Sequence, residues 1–555
     1  MKRLPIGISD FKELIENDYL FADTTPMIGE IFREQSKILL ITRPRRFGKT
    51  LNMSMLGYFF DNTCQNDKLF LGLDITRDDE VMAQINTYPV IFLSFKDIKN
   101  NSWEDSFENL KWLISKLYKD KQSIVEKNLT SQDDILYYNS IIKRTASEVD
   151  YQNALKNLID YLKMASNKNI ILLIDEYDVP IQSGWSNGFY DEIIDFMRVF
   201  LSAALKDNPK LFKGVLTGIY RVAKESIFSG LNNLSTFTIL NKDYTKYFGF
   251  TQLEVEKILT TLGYDQKDEL KKGLREWYNG YHFGKDVIYN PWSVLNYLRF
   301  QELKPYWINT SSNDLIINLI EKNMVERKYF REEIESLLSG NTIEKIVDEA
   351  SALRDIENNP DAIWTLFLFS GYITTLEKVE SDFGVDEVYA CSIPNKEVTR
   401  FFRKTVLQWL KKADRITIDR MAQNLINGNG EKFCESLKAY VRETLSYFDL
   451  KQEAENSYHM LLLGIFAQLQ DSYIIRSNRE SGLGRPDILL KAKDKKHYSA
   501  VIELKAESSQ KALEEAMRQI EEKDYVRELI SEGYTRILKV ALGVDGKSVE
   551  GKVLG

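Results

Sequence analysis

The stretch Ile38-Leu39-Leu40-Ile41-Thr42-Arg43-Pro44-Arg45-Arg46-Phe47-Gly48-Lys49-Thr50 decides the fold of the N-terminal half of the chain. A short apolar run passes directly into a tight basic loop, and Leu51–Phe60 continues helically beyond it. Strand, glycine-containing loop and helix in that order make a phosphate-binding turn, whose pattern is Gly, four residues, then Gly-Lys-Ser/Thr. Gly48, Lys49 and Thr50 match that pattern, and Arg43 stands where the first glycine would be. In such a turn the loop N–H groups and the following helix N-terminus face the β- and γ-phosphates. Lys49 then supplies a point charge, with Arg46 in the same loop, and the Thr50 hydroxyl supplies a ligand for Mg²⁺.

Outward from the loop, Ile170–Ile174 is another unbroken apolar run, and it ends in Asp175-Glu176-Tyr177-Asp178. A strand that delivers carboxylates at its C-terminal edge suits the other half of a nucleotide site. There Asp175 holds Mg²⁺ through water, and Glu176 polarises the attacking water. Val90–Phe95 and Leu211–Gly218 read as further strands, the first of them buried on both faces, and Trp103–Lys119 and Tyr151–Met164 read as helices. Strands alternating with helices predict a parallel α/β sheet.

The character changes near Thr251, which lies three residues before Glu254 in a capping-box pattern. Apolar stripes at helical spacing continue to about Leu425, interrupted by a tightly turned aromatic cluster, Trp277–Gly284 and Tyr289–Trp292. The pattern predicts three parts: an α/β nucleotide-binding domain over 1–250, a helical middle region over 251–430, and a last domain over 431–555. That last domain reads as a helix at Glu453–Leu469, a hairpin of Asp487–Leu490 and Tyr498–Lys505 around a charged turn, a helix from Ser509 to Ser531, and a final strand, Arg536–Leu542.

The hairpin carries chemistry of its own. Side chains alternate along a strand, so Glu503 and Lys505 share a face while Leu504 points to the core. Antiparallel pairing then brings Asp487 near Glu503. Two carboxylates that close repel unless a divalent cation lies between them, and hard oxygen ligands suit Mg²⁺ or Mn²⁺. Such a cation activates water and stabilises charge on a phosphate, with Lys505 orienting the water or neutralising the developing charge. Tyr458 and His459 read as packed helix residues, since no triad surrounds the histidine.

The chain has 555 residues, 43% of them hydrophobic and 28% charged, which is ordinary globular composition. A net charge of −8 excludes a broadly basic nucleic-acid coat but leaves room for a local basic groove. Cys64, Cys391 and Cys434 are scattered without metal-ligand spacing, as expected of a reducing cytoplasm. No apolar signal segment stands in the first eleven residues, and no apolar run is long enough to span a bilayer. A soluble cytoplasmic protein is expected.

Residues from about Leu4 to Trp292 resemble the AAA-ATPase-like domain of many bacterial proteins. The resemblance rests on RPRRFGKT (43–50), YPVIFLSF (88–95), LLIDEYD (172–178), LTGIYRVAKESIFSGLNN (216–233), YFGFT (247–251) and WYNGYHFG (277–284). That family also uses an arginine-rich loop in place of the first glycine. The resemblance implies a P-loop NTPase sheet with ATP as nucleotide, Thr217 as a sensor of the γ-phosphate, and Arg221 as a source of transition-state charge. One departure is Asp23-Thr24-Thr25, where the family commonly has Asp-Lys-Thr. Tyr306–Thr310, Trp364–Tyr372 and Ile393–Val398 are also similar to stretches of the family, and no chemistry attaches to them.

Residues from about Glu431 to the C-terminus resemble the branch of the PD-(D/E)XK nuclease superfamily that accompanies this ATPase-like domain. Gly482–Asp487 and Val501–Lys505 match its central motifs. The implied fold is a restriction-endonuclease-like α/β/α sandwich. The resemblance adds Glu455, in Glu455-Asn-Ser-Tyr-His459, as a further acidic metal ligand, and Gln519 as the helical glutamine beside the site.

Together these features predict an ATP-binding and ATP-hydrolysing protein whose nucleotide state gates a Mg²⁺-dependent nuclease acting on DNA or RNA. The alternative is an ATP-switched nucleic-acid-binding or regulatory protein with a non-cleaving nuclease-like domain. The presence of Asp487, Glu503 and Lys505 favours the enzyme. A third reading, in which nucleotide is only a structural ligand, is disfavoured by Glu176. A homo-oligomer is in keeping with ATPases of this kind, although no interface is legible.

Overall fold

Four apolar runs and one half-polar segment form a parallel sheet: β1 (Ile38–Thr42), β2 (Val90–Ser94), β3 (Ile170–Asp175), β4 (Leu211–Gly218) and β5 (Leu234–Phe237). The computed structural model describes residues 2–220, 234–310, 314–349, 353–379, 387–409, 415–444, 454–466, 469, 472–477, 486–506, 509–545 and 548–554. The chain is α/β throughout. It divides into two compact units, one of residues 1–311 with 344–397 and the other of residues 312–343 with 398–555. The stretch 251–430 is therefore shared between the two.

In the first unit the sheet order is β2-β3-β4-β1-β5, with every adjacent pair parallel. β1 and β3 are buried along their whole length, as strands covered on both faces must be. Register sets Thr42 beside Gly218, Ile41 beside Thr217, and Ser94 beside Asp175. The C-terminal ends of β1, β4 and β3 thus lie in a row, with Thr217 between the loop strand and the acidic strand. Helices Trp103–Val125 and Glu148–Ser166 lie between β2 and β3 in the chain, each begun by a serine N-cap.

Helix Gln252–Thr261 has the capping box expected from sequence, with Thr251 and Glu254 bonding reciprocally. The aromatic cluster runs from the end of helix Asp268–Tyr278 through a two-stranded hairpin, β6 (Tyr281–Phe283) and β7 (Asp286–Ile288), into helix Pro291–Phe300. The mainly helical middle also carries a three-stranded sheet of β8 (Ile343–Ile346), β9 (Thr374–Val379) and β10 (Val388–Ser392), in the order β8-β10-β9.

The second unit is built on a mixed sheet ordered β11-β12-β13-β14-β15. Its strands are Tyr473–Ser477, Ile488–Ala492, Ser499–Ala506, Ile537–Asp545 and Ser548–Leu554. β12 and β13 form the antiparallel hairpin around the charged turn, and β13 pairs with β14 in parallel across helix Ser509–Lys523. Two expectations are corrected. Arg536–Leu542 falls on a strand that is not the last, because β15 returns antiparallel to it. The helix from Ser509 to Ser531 is two helices, broken where Asp524 takes a left-handed φ of 46° before Arg527–Ser531.

Candidate functional site

The phosphate loop turns out of β1 through backbone that few residues tolerate. Gly48 has φ +87° and directly precedes helix Lys49–Phe60, while Arg46 takes φ 67° without glycine's freedom. Lys49 is 6% exposed and donates from Nζ to the carbonyls of Arg43 and Pro44, each at 2.9 Å. These bonds hold the ammonium beneath the loop and leave one N–H for a ligand. Burial lowers the Lys49 pKa, against the opposing pull of Glu176, Asp175 and Asp178.

Across the row of strand ends, Asp175 accepts from both hydroxyls that face it. Thr50 Oγ1 donates to Oδ2 at 2.8 Å and Thr217 Oγ1 to Oδ1 at 2.6 Å. Glu176 follows with φ 53°, a strained left-handed turn directly after β3. Burial raises its pKa, Lys49 opposes that, and Asp175 and Asp178 add to it. Asp178 is buried and accepts at Oδ2 from the N–H groups of Ile219 and Tyr220 and from Gln182. It therefore pins the chain just beyond β4.

Arg43 has a different job from the glycine it replaces. Its guanidinium is fully buried, donates to the carbonyls of Thr42, Phe237 and Asp243, and lies over the rings of Phe248 and Phe283. Burial without a carboxylate partner pulls its pKa down to about 9. Arg46 stacks on Trp292, 4.4 Å from the ring centre. Phe47 meets Tyr281 and Phe283 edge-on or tilted, and the Trp307 indole N–H donates to the Arg45 carbonyl at 3.0 Å.

The Trp307 main chain is held in turn by Glu397, which accepts its N–H at 2.6 Å and the Ser293 hydroxyl at 2.7 Å. Burial raises the Glu397 carboxyl to about 7. Close packing secures the same region: a Cβ on Gly280, at φ +96°, would fall 2.1 Å from the Pro394 carbonyl.

In the second unit, Asp487 precedes β12 and Glu503 lies within β13, on the same face as Lys505. Lys505 Nζ is 2.9 Å from Glu503 Oε1 and 4.0 Å from Asp487 Oδ2. The Leu504 N–H donates to Asp487 Oδ2 at 2.6 Å, and the Asp487 N–H points to Glu503 Oε2 at 3.4 Å. Glu503 is only 1% exposed. Burial first, and Asp487 second, raise it to about 7, and burial raises Asp487 as well. This acid pair with one lysine has the oxygen donors and the excess negative charge that a divalent cation would meet.

Gln519 Nε2 donates to the Tyr525 hydroxyl at 3.0 Å, and Tyr525 feels the charge of both acids. His459 is buried between Glu335 Oε1, at 2.5 Å from Nδ1, and the Asp487 carbonyl, at 3.0 Å from Nε2. Burial opposes charge on this ring, but Glu335 and Asp487 outweigh it and the pKa ends above its ordinary value.

Gly48, Lys49, Thr50, Asp175, Glu176 and Thr217 gather in one place, with Arg46 turned aside onto Trp292. Asp487, Glu503 and Lys505 gather in another. Arg221 lies outside the described residues, as do most of Gly482–Asp487 and the side chain of Glu455, whose backbone is in helix Ala454–Phe466. Among the described residues no three His, Cys, Asp or Glu side chains form a metal cluster. Sequence reasoning read Arg43 only as a departure from the glycine pattern and passed over Trp307, Glu397 and Glu335. Trp307 and Glu397 sit in stretches that drew notice without a role, whereas Glu335 is marked by no motif.

A phosphate loop and an acid-tipped strand on a parallel sheet define a P-loop nucleotide fold. The mixed sheet with its acid pair defines a nuclease-like one. Residues 5–228 match the family described as "Predicted AAA-ATPase", and residues 453–552 match the PD-(D/E)XK nuclease superfamily. Both resemblances read from the motifs are thereby borne out. A protein of Azotobacter chroococcum mcd 1, described as "Uncharacterized protein in vnfD 5'region", is 26% identical over 410 residues, covering 73% of this chain and 70% of its own. That span is longer than the two matched segments together, so the likeness extends into residues outside both. No helix among the described residues is long and apolar enough to cross a membrane.

Proposed function

We propose that the protein binds and hydrolyses ATP in its first unit and cleaves phosphodiester bonds in its second, with the nucleotide state licensing cleavage. The observation that carries the reading is the acid cluster, in which Asp487 and Glu503 raise each other's need for a cation while Lys505 stands within reach of both. Residues 1–250 and 431–555 are the two chemical parts, and 251–430 serves both.

At the nucleotide, Lys49 meets the β- and γ-phosphates, and Thr50 and Asp175 hold Mg²⁺. Glu176, its pKa raised by burial, takes the proton of the attacking water. Thr217 reports the γ-phosphate through its bond to Asp175, and Arg46 and Arg221 supply positive charge to the nucleotide. At the second site, Asp487 and Glu503, joined by Glu455, hold Mg²⁺ or Mn²⁺. The cation, when bound, lowers the pKa of water and offsets phosphate charge. Lys505 orients the water and Gln519 borders the site. DNA or RNA is the partner, a homo-oligomer is the working form, and three free cysteines suit a cytoplasmic setting.

The test is cleavage of mixed DNA and RNA substrates by the purified chain in Mg²⁺ or Mn²⁺, with and without ATP, beside Lys505→Ala and Lys49→Ala. Cleavage that disappears in Lys505→Ala and responds to ATP only with Lys49 intact is the expected result. Binding of nucleic acid without any cleavage would reject the nuclease.

A further inference from the structure

Asp487 is the acid of the pair that the sheet itself secures least. The ladder of β12 against β13 begins at Ile488, paired with Ile502, and that against β11 also ends on Ile488, paired with Ser477. The Asp487 peptide therefore lies just off the ladder. Its carboxylate is fixed by the Leu504 N–H, and its carbonyl by His459.

His459 is poorly described as packing alone. Both ring nitrogens face acceptors: a carboxylate on one side and a main-chain carbonyl on the other. The carbonyl can only accept, so Nε2–H donates to it, and Nδ1 shares a proton with the Glu335 carboxylate. Glu335 reaches it from helix Lys328–Leu338, far away in sequence, and both side chains are buried. An acid, a histidine and a peptide in series end on the residue whose carboxylate turns toward Glu503 and Lys505.

We infer that Glu335 and His459 are a positioning pair, which locks the Asp487 peptide so that its carboxylate stays in register with Glu503 for a divalent cation. The inference rests on the nuclease-like reading of that site. Partners one shell behind a metal ligand commonly change metal affinity about 10- to 100-fold when removed.

Mn²⁺ uptake by the nucleotide-free full chain, followed by EPR of the free ion, tests this on wild type, Asp487→Ala, His459→Ala, His459→Gln and Glu335→Gln, each with a melting curve. Uptake that Asp487→Ala abolishes belongs to the site. His459→Ala is expected to weaken that uptake about 10- to 100-fold. His459→Gln, whose amide N–H can still reach the Asp487 carbonyl, should recover most of it, and Glu335→Gln should fall between. In cleavage, the change should appear in kcat and not in KM for nucleic acid. Unchanged uptake in His459→Ala overturns the positioning pair and leaves the nuclease reading standing. No Asp487-dependent uptake in wild type overturns both. Uptake lost alike in His459→Ala and His459→Gln, with melting temperature lowered in both, makes His459 a packing residue and also overturns the pair.

Discussion

Around the phosphate loop, Lys49, Asp175 and Arg43 each find neutral protein partners: carbonyls for the two cations and hydroxyls for the carboxylate. In the acid cluster of the second unit, Glu503 and Asp487 instead meet each other, and one lysine serves both. The first arrangement is held mostly by neutral groups before any ligand arrives, with one Lys49 N–H left over for a phosphate. The second holds its acids in mutual conflict, which a proton or a cation relieves. A buried site can therefore be prepared for phosphate by solvating its charges with backbone, or for a metal by leaving charge unbalanced.

The contrast breaks first, and most visibly, at Lys505. Lys505→Ala should lower phosphodiester cleavage about 10²- to 10³-fold at saturating Mg²⁺, the size of one lost electrostatic contact to the transition state. Gel-based cleavage rates check it. If activity survives, the acids alone suffice and the conflict is not the working feature.

Arg43→Met sharpens the other side. It keeps the bulk and removes the donors to Thr42, Phe237 and Asp243, so stability should fall by about 2–3 kcal/mol, read as a lower denaturant midpoint. Lys49→Ala should weaken nucleotide binding by about 1.5–3 kcal/mol, roughly 10- to 150-fold by calorimetry, with a smaller effect on the melt.

A gentler test uses pH. Glu397 has its carboxyl raised from 4.5 to about 7, so between those values the folded chain binds more protons than the unfolded one. Stability contributed by this group is therefore full below about 4.5 and declines as pH rises through 7. Glu397→Gln should flatten the slope of melting temperature between pH 5 and 7.5, removing up to about 3 kcal/mol of pH-dependent stability. The smallest effect expected is at Glu503. In metal-free buffer above pH 7, Glu503→Gln should raise the melting temperature by a few degrees, roughly 1 kcal/mol, while abolishing Mn²⁺ uptake. A drop instead would mean that the Lys505 contact outweighs the repulsion.

Much of this was legible in sequence wherever a periodicity had a single physical cause. β1 and β3 are continuous apolar runs because other elements cover both their faces, and Glu503 and Lys505 share a face because strand side chains alternate. β2 reads the same way, as a strand buried on both faces, but it is an edge strand and leaves Phe92 38% exposed. The losses fall at edges and at distance. β5 (Leu-Ser-Thr-Phe) is half polar and only partly buried at the sheet margin, and β15 carries glycine and charge along an outer strand. Neither has a run to read. Glu335 meets His459 only because the fold brings together helices more than a hundred residues apart, a relation that no local pattern encodes.

Arg43 gives the loop a consequence for engineering. A designer who restored the consensus glycine there would improve the match to the motif and unbolt the loop's entry from the protein interior, because the side chain that breaks the pattern is also the fastening. Motif scores that penalise this position would rank a firmly anchored loop below a looser one.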